Sequence, residues 1–200
     1  MTGDARVRES IDVVQEKASV LPEYAGISIA FEVREILGVT IRPDVGGGFT
    51  LTPRPVAVPW IKDYDAIDSG PAAWASQFDV ALWTFFGARV AGQRVGGAAV
   101  VFRAPDVDML AGRSDVALLW DIRVAPAHRG RGVGTALLAA AEAWAAPRGA
   151  EWLEVETQNV NVPACRFYER NGFVLRAVDP FAYPGLPDET QLLWYKRLVG

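Results

Sequence analysis

The sequence predicts one α/β or α+β domain, and three observations carry that prediction. Its 200 residues match the size of a single domain. Half of them are hydrophobic, with seven Trp and nine Phe, enough to bury a substantial core. Alternating β-branched runs and helical-period runs intermix along the chain without an internal repeat.

Taken in order, Val7, Ile11, Val14, Ala18 and Leu21 recur at spacings of three and four. That predicts an amphipathic helix within residues 1–22 that ends near Pro22 and docks on its own domain or joins a partner subunit. Residues 27–37 alternate as a strand, Gly46-Gly47-Gly48 reads as a turn, and 49–58 form a second strand thinned by Pro53 and Pro55. Residues 59–77, with Asp63, Asp65 and Asp68 among aromatics, read as short helices and loops. Strands at 82–90 and 96–103 are joined as a hairpin through residues 91–94. A polar loop is expected over 104–115, then a buried strand at 116–124.

Gly134, Leu137, Leu138, Ala141, Trp144 and Ala145 mark one face of a helix ending near Pro147 and Gly149. Residues 152–157 alternate as a strand, a short helix runs from Asn161 to Asn171-Gly172, and strands at 173–178 and 192–198 complete the sheet.

Charge and composition exclude several function classes. The net charge is −4 and the basic residues are scattered, so the footprint of a nucleic-acid binder is missing. Cys165 is the only cysteine and His128 the only histidine, which rules out an intramolecular disulfide and a Cys/His zinc site. No metal is expected. No Gly-x-Ser-x-Gly elbow occurs; His128 reads as a loop residue and Cys165 as packing. The charged N-terminus has no apolar run behind it, and no stretch reaches membrane-spanning length, so a soluble cytoplasmic protein is expected.

The most informative stretch is residues 121–135, where a buried strand enters a glycine-rich turn that opens onto a helix. Gly130, Gly132 and Gly134 lack Cβ atoms, so backbone can turn sharply and approach a ligand closely. The first amides of the following helix have no intrahelical partner, and the helix dipole adds positive charge there. Together they form a cradle for a phosphate or diphosphate, with Arg129 and Arg131 adding full charges. The ATP-binding loop is excluded because no lysine lies in the stretch. The dinucleotide pattern fails because Thr135 stands where its third glycine belongs. What remains is Arg129-x-x-Gly132-x-Gly134.

A second motif follows, Asn161-x-x-Ala164-x-x-Phe167-Tyr168-x-x-x-Gly172-Phe173. Asn161 suits an N-cap, and Pro163 sits in the first turn where its missing N–H is tolerated. Together these motifs resemble the GNAT acetyltransferases, whose pyrophosphate loop is Gln/Arg-x-x-Gly-x-Gly/Ala. The runs 121–124, 156–159, 179–183 and 193–195 look like the streptothricin acetyltransferase branch, and the likeness covers roughly residues 115–198.

The resemblance implies a GNAT-like fold, a central mixed, mostly antiparallel twisted sheet flanked by helices, with two parallel central strands splayed apart. It implies acetyl-CoA as cosubstrate, held by a core spanning 116–175. Backbone around Ile122, Arg123 and Val124 would bond the pantetheine arm. Arg129, Gly130, Arg131, Gly132, Val133, Gly134 and Thr135 would cradle the diphosphate, and Asn161 would touch the arm from the other side. A backbone N–H near Val124 would stabilise negative charge on the acyl oxygen.

The implied reaction is direct attack by a neutral amine. Tyr168 matches the tyrosine that protonates the departing thiolate. Asp121 and Glu156 are candidates for the base or for binding a cationic substrate, and Glu154 shares the face of Glu156. Asp179 and Tyr183 are candidate pocket residues, and the Asp63, Asp65, Asp68 cluster reads as a solvated loop or a cation-facing wall. The preferred acceptor is a small cationic amine, streptothricin-like. The rivals are a protein lysine or α-amino group, and a non-catalytic acetyl-CoA-binding module. A homodimer is expected from how common dimers are in the family.

Overall fold

The computed structural model describes residues 10–42 and 47–198. The elements run β1 (Ile11–Glu16), α1 (Leu21–Ala25), β2 (Phe31–Ile41), β3 (Phe49–Lys62), α2 (Asp65–Asp68), α3 (Pro71–Gln77), β4 (Trp83–Val90) and β5 (Gln93–Phe102). They continue with β6 (Val116–Val124), α4 (Val133–Ala145), β7 (Trp152–Gln158), α5 (Val162–Arg170), β8 (Val174–Asp179) and β9 (Gln191–Arg197). Seven strands make one sheet in the order β1-β4-β5-β6-β7-β9-β8, and β2 and β3 pair separately as a ribbon. Every neighbouring pair in the sheet is antiparallel except β6 with β7.

Helices cover both faces of the sheet. On one side α4 buries Leu137, Leu138, Ala141 and Ala145 against β4, β5 and β6, joined by Cys165 and Tyr168 from α5. Each of the two leucines contributes about 1.5–3 kcal/mol by burial. On the other side α1 and α3 supply Leu21, Tyr24 and Trp74, packed on Trp83, Phe85 and Leu118. Sandwiched in this way, β4 and β5 are buried along almost their whole length. Their hairpin turns on Ala91 and Gly92, both at positive φ (48° and 78°), as a two-residue turn between right-twisted strands requires.

Several expected elements fall differently. Residues 11–16 are an edge strand rather than part of a helix, pairing from Ile11 with Val90 to Glu16 with Phe85. Period two wins because Ile11 and Val13 then both face the core, and the free edge of β4 gains a backbone partner. Pro22 sits in the first turn of α1 instead of ending a helix, and Val7 lies outside the described residues. The strand expected from residue 27 begins at Phe31, since the carbonyls of Ile27, Ser28 and Ala30 accept from arginines 123 and 129 instead of a strand partner.

β3 continues to Lys62 despite Pro53, Pro55 and Pro59, which is tolerated because its second edge is open. Of the glycine turn, Gly46 lies outside the described residues, while Gly47 and Gly48 take positive φ. The stretch 104–115 is not merely polar: Ala104, Val107 and Leu110 are buried beneath the second core layer.

Candidate active site

Strands β6 and β7 pair only from Val116 with Trp152 to Leu118 with Glu154, and beyond that they diverge. The cause lies in β6. Val100 of β5 pairs with Leu119 but the adjacent Ala99 pairs with Asp121, so Trp120 is an extra residue, a β-bulge that bends the strand. Further along, the amide of Ala125 donates to Val95 of β5 at 2.8 Å. By alternation the N–H and C=O groups of Ile122 and Val124 point the other way, into the gap. The gap opens into a cleft of about 1180 Å³, lined by Asp121, Ile122, Val124, Glu156, Asn161 and Tyr168 among others.

The glycine loop forms one end of this cleft. Gly130 and Gly132 stand at φ 74° and 91°, a region that favours glycine, and Gly132 is the N-cap of α4. No side chain caps that helix, so its first amides are left for a ligand, and Gly130, Gly132, Gly134 and Thr135 all line the cleft. A Cβ on Gly134 would come within 3.3 Å of the Phe167 ring, which explains the third glycine by packing. The geometry fits an elongated ligand with a diphosphate at one end and a polar, strand-like arm along β6. Val133 is buried in the core, so only its backbone can take part, and Arg131 is exposed without lining the cleft. Asn161 accepts from the Ala164 amide at 3.2 Å as the N-cap of α5 and also lines the cleft.

Two arginines that line the cleft are also tied into the fold. Arg129 donates to the carbonyls of Val124, Ala30 and Ser28 at 2.9–3.1 Å, strapping the 28–30 loop against the glycine turn. Arg123 is buried, with its side chain 1% exposed, and makes a bidentate pair with Asp121 at 2.8 and 2.9 Å. It also bonds Asp65 at 2.8 and 3.2 Å and the Ile27 carbonyl at 3.0 Å. Tyr24 completes this array, donating to Asp121 at 2.5 Å.

Across the gap, Glu156 on β7 is held by neutral donors. Tyr183 bonds Oε1 at 2.5 Å, Gln158 reaches the same oxygen at 3.2 Å, and Gln191 bonds Oε2 at 2.6 Å. Tyr168 lies in α5 between Phe167 and Phe173, ring centroids 5.2 and 5.3 Å away. Its ring is buried, and among the described residues nothing bonds its hydroxyl, which lines the cleft. Burial, and then the Asp121 carboxylate, push that hydroxyl well above the usual tyrosine range, so it keeps its proton at neutral pH.

Other expected residues divide. Glu154 shares the face of Glu156 but lies outside the cleft, buried against β9, and burial raises its carboxyl. Asp179 caps the turn at Phe181, outside the cleft. Of the acidic cluster, Asp65 and Asp68 line the cleft, whereas Asp63 accepts from the Asp65 amide. His128 sits in the turn before the glycines, and buried Cys165 approaches Thr157 at 3.4 Å.

Tyr24, Tyr64, Lys62 and Glu189 were not singled out by the sequence. Their partners lie roughly a hundred residues away in the chain, which leaves no local signal. Among the described residues no helix is long and apolar enough to cross a membrane, and no group of three His, Cys, Asp or Glu side chains is arranged to hold a metal.

Comparison with known proteins agrees with this geometry. Residues 56–173 match the acetyltransferase (GNAT) family model. A streptothricin acetyltransferase from Escherichia coli is 33% identical over 186 residues, 90% of this chain and 94% of the relative. One from Streptomyces lavendulae is 32% identical, covering 86% of each chain. Among solved structures, nourseothricin acetyltransferase superposes with a TM-score of 0.74 at 28% identity, over 94% of this chain and 99% of the other. A candidate streptothricin acetyltransferase from Bacillus anthracis strain Ames, solved in complex with acetyl coenzyme A, also gives 0.74, at 26% identity over 95% and 99%. With the cleft, the glycine loop and these relatives in agreement, this protein belongs to the GNAT acetyltransferase family and uses acetyl-CoA as its cosubstrate.

Proposed function

We propose that this acetyltransferase modifies a primary amine of a small polycationic molecule of the streptothricin kind. The observation that carries the reading is the charge of the acceptor side. Asp65, Asp68, Asp121 and Glu156 all line the cleft there, against Arg123 as the guanidinium among them. A wall with surplus negative charge attracts and orients a cation. The relatives named for streptothricin acetylation support the same class of acceptor.

Acetyl-CoA supplies the activated acetyl thioester. The amides opening α4 and the glycine turn hold its diphosphate, and the gap-facing backbone of Ile122 and the Val124 N–H bond its arm and acyl end. The Val124 N–H, aimed into the gap, stabilises negative charge developing on the acyl oxygen, a donor worth about 3 kcal/mol. Asp121 already faces a guanidinium and a tyrosine, so it orients. Glu156 is bonded by neutral donors alone and has no cationic partner among them, so it receives the proton of the attacking amine, directly or through water. Tyr168 holds its proton for the departing sulfur.

The test is CoA release with acetyl-CoA and a panel that includes streptothricin, simple amines and lysine- or α-amine-bearing peptides. Turnover of small cationic amines is expected. Turnover confined to peptides would overturn the reading. Cytoplasmic residence and homodimerisation belong to the same proposal and are checked by fractionation and sedimentation.

A further inference from the structure

Two tyrosines on the acceptor side are held in the same manner, each by a glutamate. Tyr183 donates to Glu156, and Tyr64 donates to Glu189 Oε2 at 2.6 Å. Both rings line the cleft. Glu189 is itself buried and paired with the buried ammonium of Lys62, which also stands 4.6 Å from the centre of the Tyr64 ring. Lys62 ends β3 and Glu189 precedes β9, so the pair joins the ribbon to the loop before the last strand. A buried ion pair is a weak stabiliser because desolvation offsets its attraction, so its placement is better explained by what it positions. Here it positions the Tyr64 hydroxyl.

An ionised carboxylate only accepts hydrogen bonds, so each tyrosine proton is committed to its glutamate. Burial and the adjacent carboxylates raise both phenols, so both stay protonated. What each hydroxyl has left is acceptor capacity. Tyr64 keeps both lone pairs, and Tyr183 keeps one after accepting from Gln158 at 3.1 Å. The charges of Glu156, Glu189 and Lys62 sum to −1, and apolar Phe31 lies beside Tyr64 with ring centroids 6.2 Å apart. Acceptor oxygens backed by negative charge and flanked by an apolar ring match a donor-rich cation on a carbon chain.

We infer that Tyr64 and Tyr183, oriented by Glu189 and Glu156, form a subsite for a second cationic group of the acceptor, an alkylammonium or guanidinium distinct from the amine that is acetylated. This rests on the proposed amine acceptor. The probe is a matched pair, cadaverine and pentylamine, titrated calorimetrically into the protein–CoA complex. The diamine should bind on the order of tenfold tighter, the effect of a charge-assisted hydrogen bond. Tyr64→Phe and Tyr183→Phe, singly and together, should reduce that preference to about twofold or less while CoA affinity holds and circular dichroism shows the fold retained.

Equal binding of the two amines by the unaltered protein, no binding of either, or a preference that survives both substitutions would overturn the subsite. Acetylation measured alongside separates the two claims. A preference with no turnover of any amine sinks the acceptor reading, and turnover without preference sinks the subsite.

Discussion

Arg123→Met removes the guanidinium that organises the wall beside β6. In the intact protein it bonds two carboxylates and a carbonyl, with its side chain 1% exposed. Without it, Asp65 has an escape, since its side chain is 27% exposed and can turn to water. Asp121, at 7%, cannot, and keeps only Tyr24. Stranding one member of a buried pair costs about 3–5 kcal/mol. On a chain of this size each kcal/mol moves the melting temperature by about 2–4 °C, so a fall of roughly 6–20 °C is expected.

Adding Asp121→Asn removes the stranded charge and should recover about half of the loss or more. Acetyl-CoA affinity should stay within about threefold, because the Arg123 side chain is turned toward Asp65 and Ile27 and the cofactor meets backbone. Circular-dichroism melts of the single and double variants, with cofactor titration of each, make the measurement. A single variant destabilised by less than about 1 kcal/mol, or a double variant no more stable than the single, refutes the reasoning.

Three further outcomes are expected. Tyr168→Phe should lower kcat by about 10²–10⁴ and leave acetyl-CoA affinity unchanged, as stopped-flow CoA release and equilibrium titration would show. Gly132→Ala meets no packing obstacle, since its Cβ would find only Ile11 at 3.8 Å, but it forces φ 91° on an alanine. A stability loss of about 1–2 kcal/mol in melts, with weaker acetyl-CoA binding by titration, should follow. Cys165, whose thiol burial pushes up to about 11, should react with a disulfide reagent at pH 8 far more slowly in the native protein than in denaturant. Its folded pKa exceeds the unfolded value of about 8.5, so its contribution is fully present below that pH and is lost as pH rises through about 11, which alkaline melts of Cys165→Ala against the parent would detect.

What the sequence disclosed was local chemistry. The glycine run before α4 and the Asn161 cap of α5 were legible because each works through its own neighbouring backbone. The β6 strand was legible from the apolar run at 116–124. What stayed hidden depends on distant partners. β1 looked helical because Val14 supports a period of three to four as readily as Val13 supports two, and the deciding factor was the open edge of β4. Arg129 lines the cleft, but its ties to the carbonyls at 28, 30 and 124 left no mark in the sequence. The Glu189 contact to Lys62 crosses 127 positions, and no pattern in either segment announces it.

The surplus residue at Trp120 separates two demands that usually coincide. Leu119 and Ile122 lie on the helix-α4 side of the sheet, while Trp120, Asp121 and Arg123 all lie on the opposite side. Excising Trp120 would therefore leave every remaining side chain on its present side, while removing a ring that packs on Trp74, Phe78 and Trp83 at centroid distances of 6.4, 5.0 and 4.9 Å. The sidedness of the rest of β6 gains nothing from the extra residue. Its product is an unstitched seam through the middle of an otherwise continuous fabric, so shortening β6 by one position should yield a less stable chain that keeps the same fold and no longer turns over.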